Sequence, residues 1–550
     1  MSWPAALDRR GFVLVLIAAW ALAYLPNLGT RTLRLEEGRR ATPAREMLAS
    51  GDFIRPTLYG DTYLKPPLFY WLVAATGSLL GGVSPLATRL PSALAALGCA
   101  LVALRFAPDR LDRRTRALAA AFVLASATLL DKGTLGEIDA CLCFVVAAAL
   151  KCWWDGNRPA GQTARSWVAV GTLLGLAGLL KGPAGPALFY LTVGPFLVWQ
   201  GRWRRLLTVG HFGCVALAVL PAAAWVAILF DRGVVSTPDL LRQWGCQLGA
   251  AGMLADSGDR TTALVTHYGE FPLQLLGMLF PAVLWLPFGL RPRRAKQHGV
   301  PEDLRRFLVC GVVAPCVAFY LYPESRPRHL MPVFFPAAVL AATTVAAFAR
   351  GPTRSASRLK SLGLLLALIP AVAGAMGVTL AAWAYPDGLP VAVLCLAVGG
   401  LWSMAAVRTT LQTLPEDAVL TSALTLIWAV LSVWFVVNAV VVPWRAPHST
   451  TLIALRQVEG KLIPGEPLFT TRTFPGKGEG YYNLQFHLAA DVRSADVSLL
   501  MLAAPCAAVV TPGEREQLER SGFRVDELGR FAVRGGPPEV LLIRLSRPGD

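Results

Sequence analysis

Residues 33–71 read LRLEEGRRATPAREMLASGDFIRPTLYGDTYLKPPLFYW and lie between an apolar run that ends near Leu28 and another that begins at Pro66. In a hydrophobic chain this stretch is dense in charge, with Glu36, Glu37, Arg39, Arg40, Arg45, Glu46, Asp52, Arg55, Asp61 and Lys65. A charged loop pinned between apolar segments at a membrane surface is a candidate functional site. The acid pair could accept or steer a proton, and the cations could hold a phosphate oxygen. A solvated connecting loop is the alternative that charge content alone leaves open.

The chain is too hydrophobic for a water-soluble protein of its length. Of its 550 residues, 54% are hydrophobic and 16% are charged, whereas soluble domains carry about 25% charged residues. Apolar runs of about 20 residues recur, each long enough to cross a hydrocarbon core as a helix. We therefore predict an α-helical polytopic membrane protein with about thirteen transmembrane helices within residues 1–443. The first run, from Gly11 to about Leu28, is expected to stay as a helix because no small-residue cleavage site follows it.

Arginine and lysine cluster in alternate connections, and this pattern predicts the orientation in the membrane. The cation-rich connections fall at residues 9–10, 110–116, 151–165, 202–205, 291–296 and 350–360. The positive-inside rule places them in the cytoplasm, so the first outer loop (residues 29–66) and the connections 131–139, 231–271 and 322–329 face outward. We expect a multi-pass protein of the bacterial inner membrane, with its active site on the periplasmic side. The net charge of +17 then serves anionic lipid and phosphate, and no nucleic-acid-binding motif accompanies it.

After Pro443 the composition changes to the mixed pattern of a water-soluble fold. Short apolar stretches predict strands at 467–470, 498–503, 507–510 and 539–544. A helix is predicted at 513–521. We expect residues 444–550 to form a small extracytoplasmic α/β domain, separate from a transmembrane domain that spans residues 1–443.

Further ionisable residues lie at the outer ends of predicted spans. Asp139 follows the loop GTLGEI, Lys181 ends an apolar run, and Arg326, Arg328 and His329 precede another. Charged residues at span ends usually mark the water interface, which is the simplest interpretation of each one alone. Together they indicate a pocket for an anionic amphiphile whose tail lies in the bilayer. Such a pocket suits group transfer from a lipid phosphate, because cations offset the leaving group's charge and a carboxylate orients the acceptor.

The long outer connection 231–271 adds three candidates for gripping donor or acceptor: Arg242 and the His267–Tyr268 pair. Ordinary loop polarity is the alternative interpretation for His267. The sequence shows no tight constellation of metal ligands. Glu36 and Asp139 could share a divalent metal ion, although arginine and lysine alone could also offset the phosphate charge. Both possibilities stay open at this point.

The first outer loop carries three motifs: Glu36-Glu37-x-Arg39, the run AREMLASGDF at 44–53, and Tyr63-Leu64-Lys65-Pro66-Pro67-Leu68. In combination they resemble the polyprenyl-phosphate-dependent C-type glycosyltransferases, which include the lipid A aminoarabinose transferases and the protein O-mannosyltransferases. The resemblance continues through Arg89-Leu90-Pro91-Ser92, Asp139, Lys181-Gly182 and residues 325–332. It implies a similar helix count and an extracytoplasmic C-terminal tail.

By this resemblance, Glu36 occupies the position of the family's first-loop catalytic Asp, Glu37 that of a neighbouring acid, and Asp139 a second acidic position. The substrate-binding residues expected from the resemblance and the charge pattern are Arg39, Tyr63, Lys65, Lys181, Arg242, His267, Tyr268, Arg326 and His329. His329 falls near a position where these enzymes often have Tyr. Two departures stand out: Glu36 is one methylene longer than Asp, and Leu64 replaces the acid that usually precedes the motif lysine in the aminoarabinose transferases. The second departure weakens the case for an amino sugar.

The predicted function is transfer of a sugar, with aminoarabinose among the candidates, from undecaprenyl phosphate to lipid A or a related lipid or glycan acceptor. Displacement at the anomeric carbon would invert its configuration. A protein O-mannosyltransferase-like enzyme is one alternative, and a lipid-linked sugar transporter is another. A transporter would place its charges near mid-membrane, whereas these lie at one face, which favours the enzyme. The expected partners are the donor, the acceptor and membrane lipids, and no cofactor is assigned beyond the divalent ion left open above.

Overall fold

The computed structural model describes residues 9–34, 36–158, 161–238, 260–291, 301–322, 325, 327–349, 356–413, 418–445, 456, 460–463, 466–471, 486–487, 492–531 and 540–547. Up to residue 238 the helices are α1 (Arg9–Tyr24), α2 (Gly38–Ser50), α3 (Leu68–Leu79), α4 (Pro85–Leu104), α5 (Arg113–Leu124), α6 (Ala127–Lys132), α7 (Ile138–Gly156), α8 (Ala164–Lys181), α9 (Ala184–Trp199) and α10 (Val209–Asp231). Two short hairpins pair β1 (Thr57–Leu58) with β2 (Asp61–Thr62) and β3 (Asn157–Arg158) with β4 (Gly161–Gln162).

From residue 260 the helices are α11 (Arg260–Met278), α12 (Leu286–Gly289), α13 (Glu302–Tyr320), α14 (Phe334–Ala349), α15 (Ala356–Ala384), α16 (Leu389–Gln412) and α17 (Ala418–Val436). A π-helical stretch at Val437–Val441 leads into α18 (Val442–Arg445). Tighter 3₁₀ turns lie at Trp203–Leu207, Ala282–Leu284, Pro327–Val333 and Pro386–Gly388.

Six described helical segments are long and apolar enough to cross a membrane. They are Pro85–Leu104, Val209–Asp231, Pro327–Ala349, Lys360–Ala384, Pro386–Gln412 and Ala418–Arg445. Helices α10, α15 and α16 leave many large apolar side chains exposed, Trp383 at 83% among them. Exposed apolar helix faces on this scale suit contact with lipid, so the chain is a multi-pass membrane protein.

The chain divides into two compact units. Unit 1 comprises Met1–Pro26 and Pro91–Val441, and unit 2 comprises Asn27–Leu90 and Val442–Asp550. The first outer loop therefore shares a unit with the C-terminal region. The predicted division into residues 1–443 and 444–550 stays a prediction.

Unit 1 is held together by aromatic packing and by close helix contacts. The Trp153 and Phe307 rings stack 5.5 Å apart, and Phe196 meets both of them edge-on. Helices α8 and α10 approach closely at Gly171, where an added Cβ would lie 2.7 Å from the carbonyl oxygen of Cys214. Small residues permit such backbone approach between membrane helices.

The C-terminal region of unit 2 contains a mixed five-stranded sheet. Its strands are β5 (Leu468–Thr471), β6 (Val492–Ala495), β7 (Cys506–Val510), β8 (Arg524–Phe531) and β9 (Val540–Ser546), in the order β6-β5-β7-β9-β8. Strands β6, β5 and β7 are parallel, and β9 runs antiparallel to β7 and β8. Helices α19 (Val497–Ala503) and α20 (Pro512–Arg520) complete the described part.

One prediction for this region is wrong. Residues 498–503 were expected as a strand, but they form most of α19. The cause is local, because Asp496 caps the helix by accepting the backbone N–H of Leu499 at 2.8 Å. The apolar run SLLMLA carries no period that separates a buried strand from a short helix.

Candidate functional site

The AREMLASGDF motif builds α2 and fixes the turn that follows it. Glu46 accepts the Thr57 hydroxyl at 2.5 Å and the Tyr59 backbone N–H at 2.7 Å, which ties the β1–β2 hairpin to the helix. Gly51 ends the helix in the left-handed region, at φ 73°, where a glycine carries no Cβ penalty. Asp52 then accepts two backbone N–H groups of the next turn. These motif residues therefore act as scaffold for the charged residues at the start of α2.

Glu37 and Arg89 form an ion pair with no exposed surface. Arg89 Nε donates to Glu37 Oε1 at 2.7 Å, and Nη2 donates to Oε2 at 2.8 Å. Its remaining N–H groups donate to the carbonyl oxygens of Leu28, Arg31 and Thr32, at 2.7, 3.0 and 2.9 Å. All five guanidinium donors are thus used. Glu37 Oε2 also accepts the Arg34 backbone N–H at 2.9 Å. Residues 28–34 and Glu37 are thus arranged around one guanidinium, and both oxygens of Glu37 take part in that arrangement.

Glu36, the residue before Glu37, lies among arginine and tyrosine side chains. Arg40 Nη2 donates to Glu36 Oε2 at 2.9 Å, and Arg39 Nη1 lies 3.8 Å from the same oxygen. The three side chains are only 13–19% exposed. Arg40 Nη1 also donates to the Tyr70 hydroxyl at 3.3 Å. Burial alone would lower the pKa of Arg40, but Tyr63, Tyr70 and Glu36 more than offset it, so the pKa is raised and the cation persists. We call Glu36, Arg39, Arg40, Tyr63 and Tyr70 the Glu36 group.

Tyr63 contributes a buried ring and a buried hydroxyl to this group. The residue is only 8% exposed. The centre of its ring lies 5.7 Å from Arg39 Cζ and 6.3 Å from the centre of the Tyr70 ring. Its hydroxyl is buried without a hydrogen-bond partner among the described residues. Lys65 follows in a tight turn whose backbone N–H donates to the Tyr63 carbonyl at 2.7 Å. A buried hydroxyl beside two guanidinium groups suits hydrogen bonding to a bound oxygen, since buried polar atoms are rarely left unpaired.

A second set of charges lies in unit 1, at the ends of α6, α7 and α8. Lys181, the last residue of α8, donates to Asp139 in the first turn of α7. Glu137 comes just before α7, is 2% exposed and faces Lys132, whose Nζ lies 3.2 and 3.3 Å from its two oxygens. The Ser92 hydroxyl holds the Glu137 carbonyl at 2.8 Å. We call Lys132, Glu137, Asp139 and Lys181 the Asp139 group.

Glu137 is the titratable member of the Asp139 group near neutral pH. Burial raises its pKa to about 7, with Lys132 and Arg328 opposing the rise and Asp139 adding to it. Arg328 and His329 lie in the 3₁₀ turn Pro327–Val333 that leads into α14. The sequence pattern does not single out Glu137 or Lys132, because a short loop between spans gives no signal of burial. The expectation that the Glu36 and Asp139 groups meet in one pocket stays a prediction.

Helix α11 corrects the expected position of two predicted binding residues. His267 and Tyr268 were placed in a long loop, but they lie within α11. His267 Nε2 lies 3.1 Å from the Tyr320 carbonyl oxygen on α13, and its ring packs against Tyr268, Phe271 and Tyr320. Polar residues are spread along this helix, so its sequence has the mixed composition that also predicts a loop. Arg242 and Arg326, two further predicted contacts, lie outside the described residues.

The possible divalent ion has no assignable site in the described part of the chain. No group of three or more His, Cys, Asp or Glu side chains that could hold a metal ion occurs among those residues. Glu36 is bonded to Arg40 and Asp139 to Lys181, and both partners are cations.

A family model and individual sequence relatives both match this chain. A family described as dolichyl-phosphate-mannose-protein mannosyltransferase matches residues 64–228. The undecaprenyl phosphate-alpha-4-amino-4-deoxy-L-arabinose arabinosyl transferase 1 of Pseudomonas fluorescens is 29% identical over 355 residues. The corresponding transferase of Erwinia tasmaniensis is 26% identical over 335 residues. These alignments cover 63% and 60% of this chain, and 62% and 59% of the relatives' own length.

The structural comparison covers nearly the whole chain. ArnT from Cupriavidus metallidurans bound to undecaprenyl phosphate matches with a TM-score of 0.68 at 20% identity, over 98% of both chains. The same protein in the apo state matches with a TM-score of 0.67 at 21% identity, over 97% of both chains. At such identity the match shows the fold, so this chain has an ArnT-like fold. The resemblance to polyprenyl-phosphate-dependent C-type glycosyltransferases, inferred from the motifs of the first outer loop, is confirmed.

Proposed function

We propose that this protein is an integral-membrane glycosyltransferase that moves a sugar from an undecaprenyl-phosphate carrier to lipid A or a related extracytoplasmic acceptor. The observation that carries the proposal is the Glu36 group: a carboxylate held by Arg40 beside the buried, unpaired hydroxyl of Tyr63. A lipid-phosphate leaving group needs fixed positive charge, and an acceptor hydroxyl needs a carboxylate. The names of the sequence relatives and the ArnT-like fold support the same assignment.

The reaction is a displacement at the anomeric carbon of the donor sugar. The acceptor oxygen forms a bond to that carbon from one face while the bond to the phosphate oxygen breaks on the other, which inverts the configuration. Glu36 takes the proton of an acceptor hydroxyl, and an acceptor phosphate would need only to be positioned. Arg39 and Lys65 offset the charge on the departing polyprenyl phosphate.

Glu37 takes a different role in this proposal from the catalytic one expected from sequence. Its side chain has no exposed surface and both oxygens are bonded to Arg89. A carboxylate so committed cannot reach an acceptor without breaking a buried pair, which costs about 3–5 kcal/mol. We assign Glu37 and Arg89 to positioning the start of α2, and we keep the acid–base role for Glu36.

We further propose that about thirteen helices cross the membrane, with the active site and an α/β domain from residue 444 onward on the periplasmic side. Support comes from the alternation of cation-rich connections, which favours a first outer loop opposite the cytoplasm. The loop is itself cationic, against that preference. Its cations therefore need another use, and phosphate binding supplies one.

The sugar and the acceptor are proposed from the relatives. Two of them are named for 4-amino-4-deoxy-L-arabinose transfer, while the family match at residues 64–228 is named for protein mannosylation. A protein O-mannosyltransferase-like activity is therefore the second candidate. Labelled donor separates the two, because the label enters the lipid extract in one case and protein in the other.

The deciding experiment is mass spectrometry of lipid A and other glycolipids from cells with the wild-type protein, without it, and with Glu36→Ala or Lys65→Ala. We expect a sugar adduct with wild type and none with either variant. Arg110→Ala, which alters an exposed pair with Asp303, serves as the control that keeps the adduct. Variants that reach the membrane at normal levels and keep full transfer would refute the proposal.

A further inference from the structure

The C-terminal region reaches back to the first outer loop through two residues of unit 2. The backbone N–H of Leu33 donates to Nε2 of His487 at 2.9 Å, across 454 positions of sequence. Leu33 has no exposed surface. A buried backbone N–H requires an acceptor, and here a side chain from the far end of the protein supplies it.

Phe486 makes a second contact, at the other end of the same stretch. Its carbonyl accepts from Arg45 Nη1 at 2.9 Å, and the Arg45 guanidinium lies 4.5 Å from the centre of its ring. The ring is 6% exposed and packs with Leu33 and Ala41. A cation over a buried aromatic face adds electrostatic attraction to the apolar packing.

These two contacts bracket the residues that carry the proposed chemistry. Leu33 lies before Glu36, and Arg45 lies on α2 beyond Arg39 and Arg40. Arg89 fixes the intervening turn through Glu37, and the C-terminal pair fixes its two flanks. Loss of either restraint would let the carboxylate of Glu36 move, and a shift on the ångström scale is enough to lose catalytic positioning.

We propose that Phe486 and His487 are positioning residues that hold the first outer loop in its active geometry. The inference rests on the proposed function, since it concerns the placement of Glu36. It gives the C-terminal region a defined role: supplying an acceptor to Leu33 and an aromatic surface to Arg45.

The contact depends on a neutral histidine ring. Nε2 accepts a hydrogen bond from the Leu33 N–H, so a ring protonated at Nε2 would set one N–H against another. The charged groups that face the ring are Arg89 and Arg45, which disfavour a second positive charge, and Glu37, which favours it. Burial and the two arginines lower the pKa of His487 to about 4, so the accepting form prevails at neutral pH.

The test compares His487→Leu with His487→Gln in the full-length protein. Leucine keeps bulk but cannot accept a hydrogen bond, whereas glutamine keeps an acceptor. The first readout is hydrogen exchange at the Leu33 amide, and the second is kcat and KM for sugar transfer. Arg524→Ala is the control, because Arg524 is an exposed residue of β8 in the same region.

We expect His487→Leu to speed exchange at Leu33 by about 5- to 150-fold and to lower kcat by roughly tenfold, with KM within about twofold. His487→Gln should restore most of both, and Arg524→Ala should change neither. Unchanged exchange and kcat in His487→Leu would overturn the inference, as would equal losses in the leucine and glutamine variants. The exchange measurement needs no donor, so it decides the contact even if wild type transfers no sugar, an outcome that would defeat only the proposed function.

Discussion

Replacing Arg89 by alanine is predicted to release residues 28–34 and Glu37 from their folded conformation. The change removes five donated hydrogen bonds, two to Glu37 and three to backbone carbonyls. It also leaves the Glu37 carboxylate buried without its cation. Removing one partner of a buried ion pair costs about 3–5 kcal/mol. At about 1.4 kcal/mol per factor of ten, that corresponds to local opening that is roughly 10²- to 10³·⁵-fold more frequent.

Hydrogen exchange on the detergent-solubilised protein measures the frequency of this local opening, because the amides of residues 28–34 and Glu37 report local opening rather than global unfolding. Arg110→Ala is the matched control. It breaks an exposed pair with Asp303 at 3.0 Å, for which the expected effect is at most about 1 kcal/mol, or roughly fivefold. The double variant Arg89→Leu/Glu37→Leu should also exchange fast, because the three carbonyls and the Arg34 N–H still lose their partners. Rates for Arg89→Ala within about fivefold of the control would refute the reasoning.

Three further predictions concern the ionisable side chains of Glu36, Glu137 and His487. Glu36→Gln should lower kcat by about 10²- to 10⁴-fold with little change in KM, measured with labelled donor, and wild-type kcat in this variant would contradict the role given to Glu36. Glu137 has a pKa raised to about 7, so the stability of its protonated form is fully present below its ordinary pKa of 4.5 and is lost as pH rises through 7. The wild-type unfolding temperature should therefore fall between pH 5 and pH 8 more than that of Glu137→Gln; parallel curves would argue against the shift. His487 has a pKa lowered to about 4, so the stability of its neutral form is present above 6.5 and is lost as pH falls through 4. The exchange rate at Leu33 in wild type, divided by that of His487→Gln at the same pH, should rise as pH falls through that window, and a constant ratio would count against the His487 contact.

The sequence predicts that the first outer loop is the functional segment, but it does not separate residues that support the loop from residues proposed to carry the chemistry. Glu36 and Glu37 are adjacent and chemically identical, yet one lies beside Arg40 in a partly open group and the other is sealed against Arg89. That distinction depends on Arg89, which is 52 positions away. No local pattern shows which of two neighbouring acids will face a distant buried cation.

The fold was predictable where composition alone decides it. Long apolar runs identify membrane helices, because a helix pairs its backbone N–H and C=O groups internally where lipid offers no hydrogen bonds. Element boundaries and short segments were less accessible: α11 begins inside a segment taken for a loop, and α19 replaces a predicted strand. The contact of His487 with Leu33 spans almost the whole chain, and an isolated histidine in a polar region gives no sign of it.

In the proposed function, two cations of the first outer loop, Arg39 and Lys65, hold the donor's phosphate. The affinity of the purified protein for undecaprenyl phosphate, measured in wild type, Lys65→Met and Arg39→Gln, tests this binding. Lys151→Met, which breaks a pair with Asp155, is the control. Both site variants should bind about 10- to 100-fold more weakly, as expected for loss of a charge-assisted contact, and the control should bind like wild type. A folded Lys65→Met or Arg39→Gln protein with wild-type affinity would contradict this assignment of the phosphate contacts.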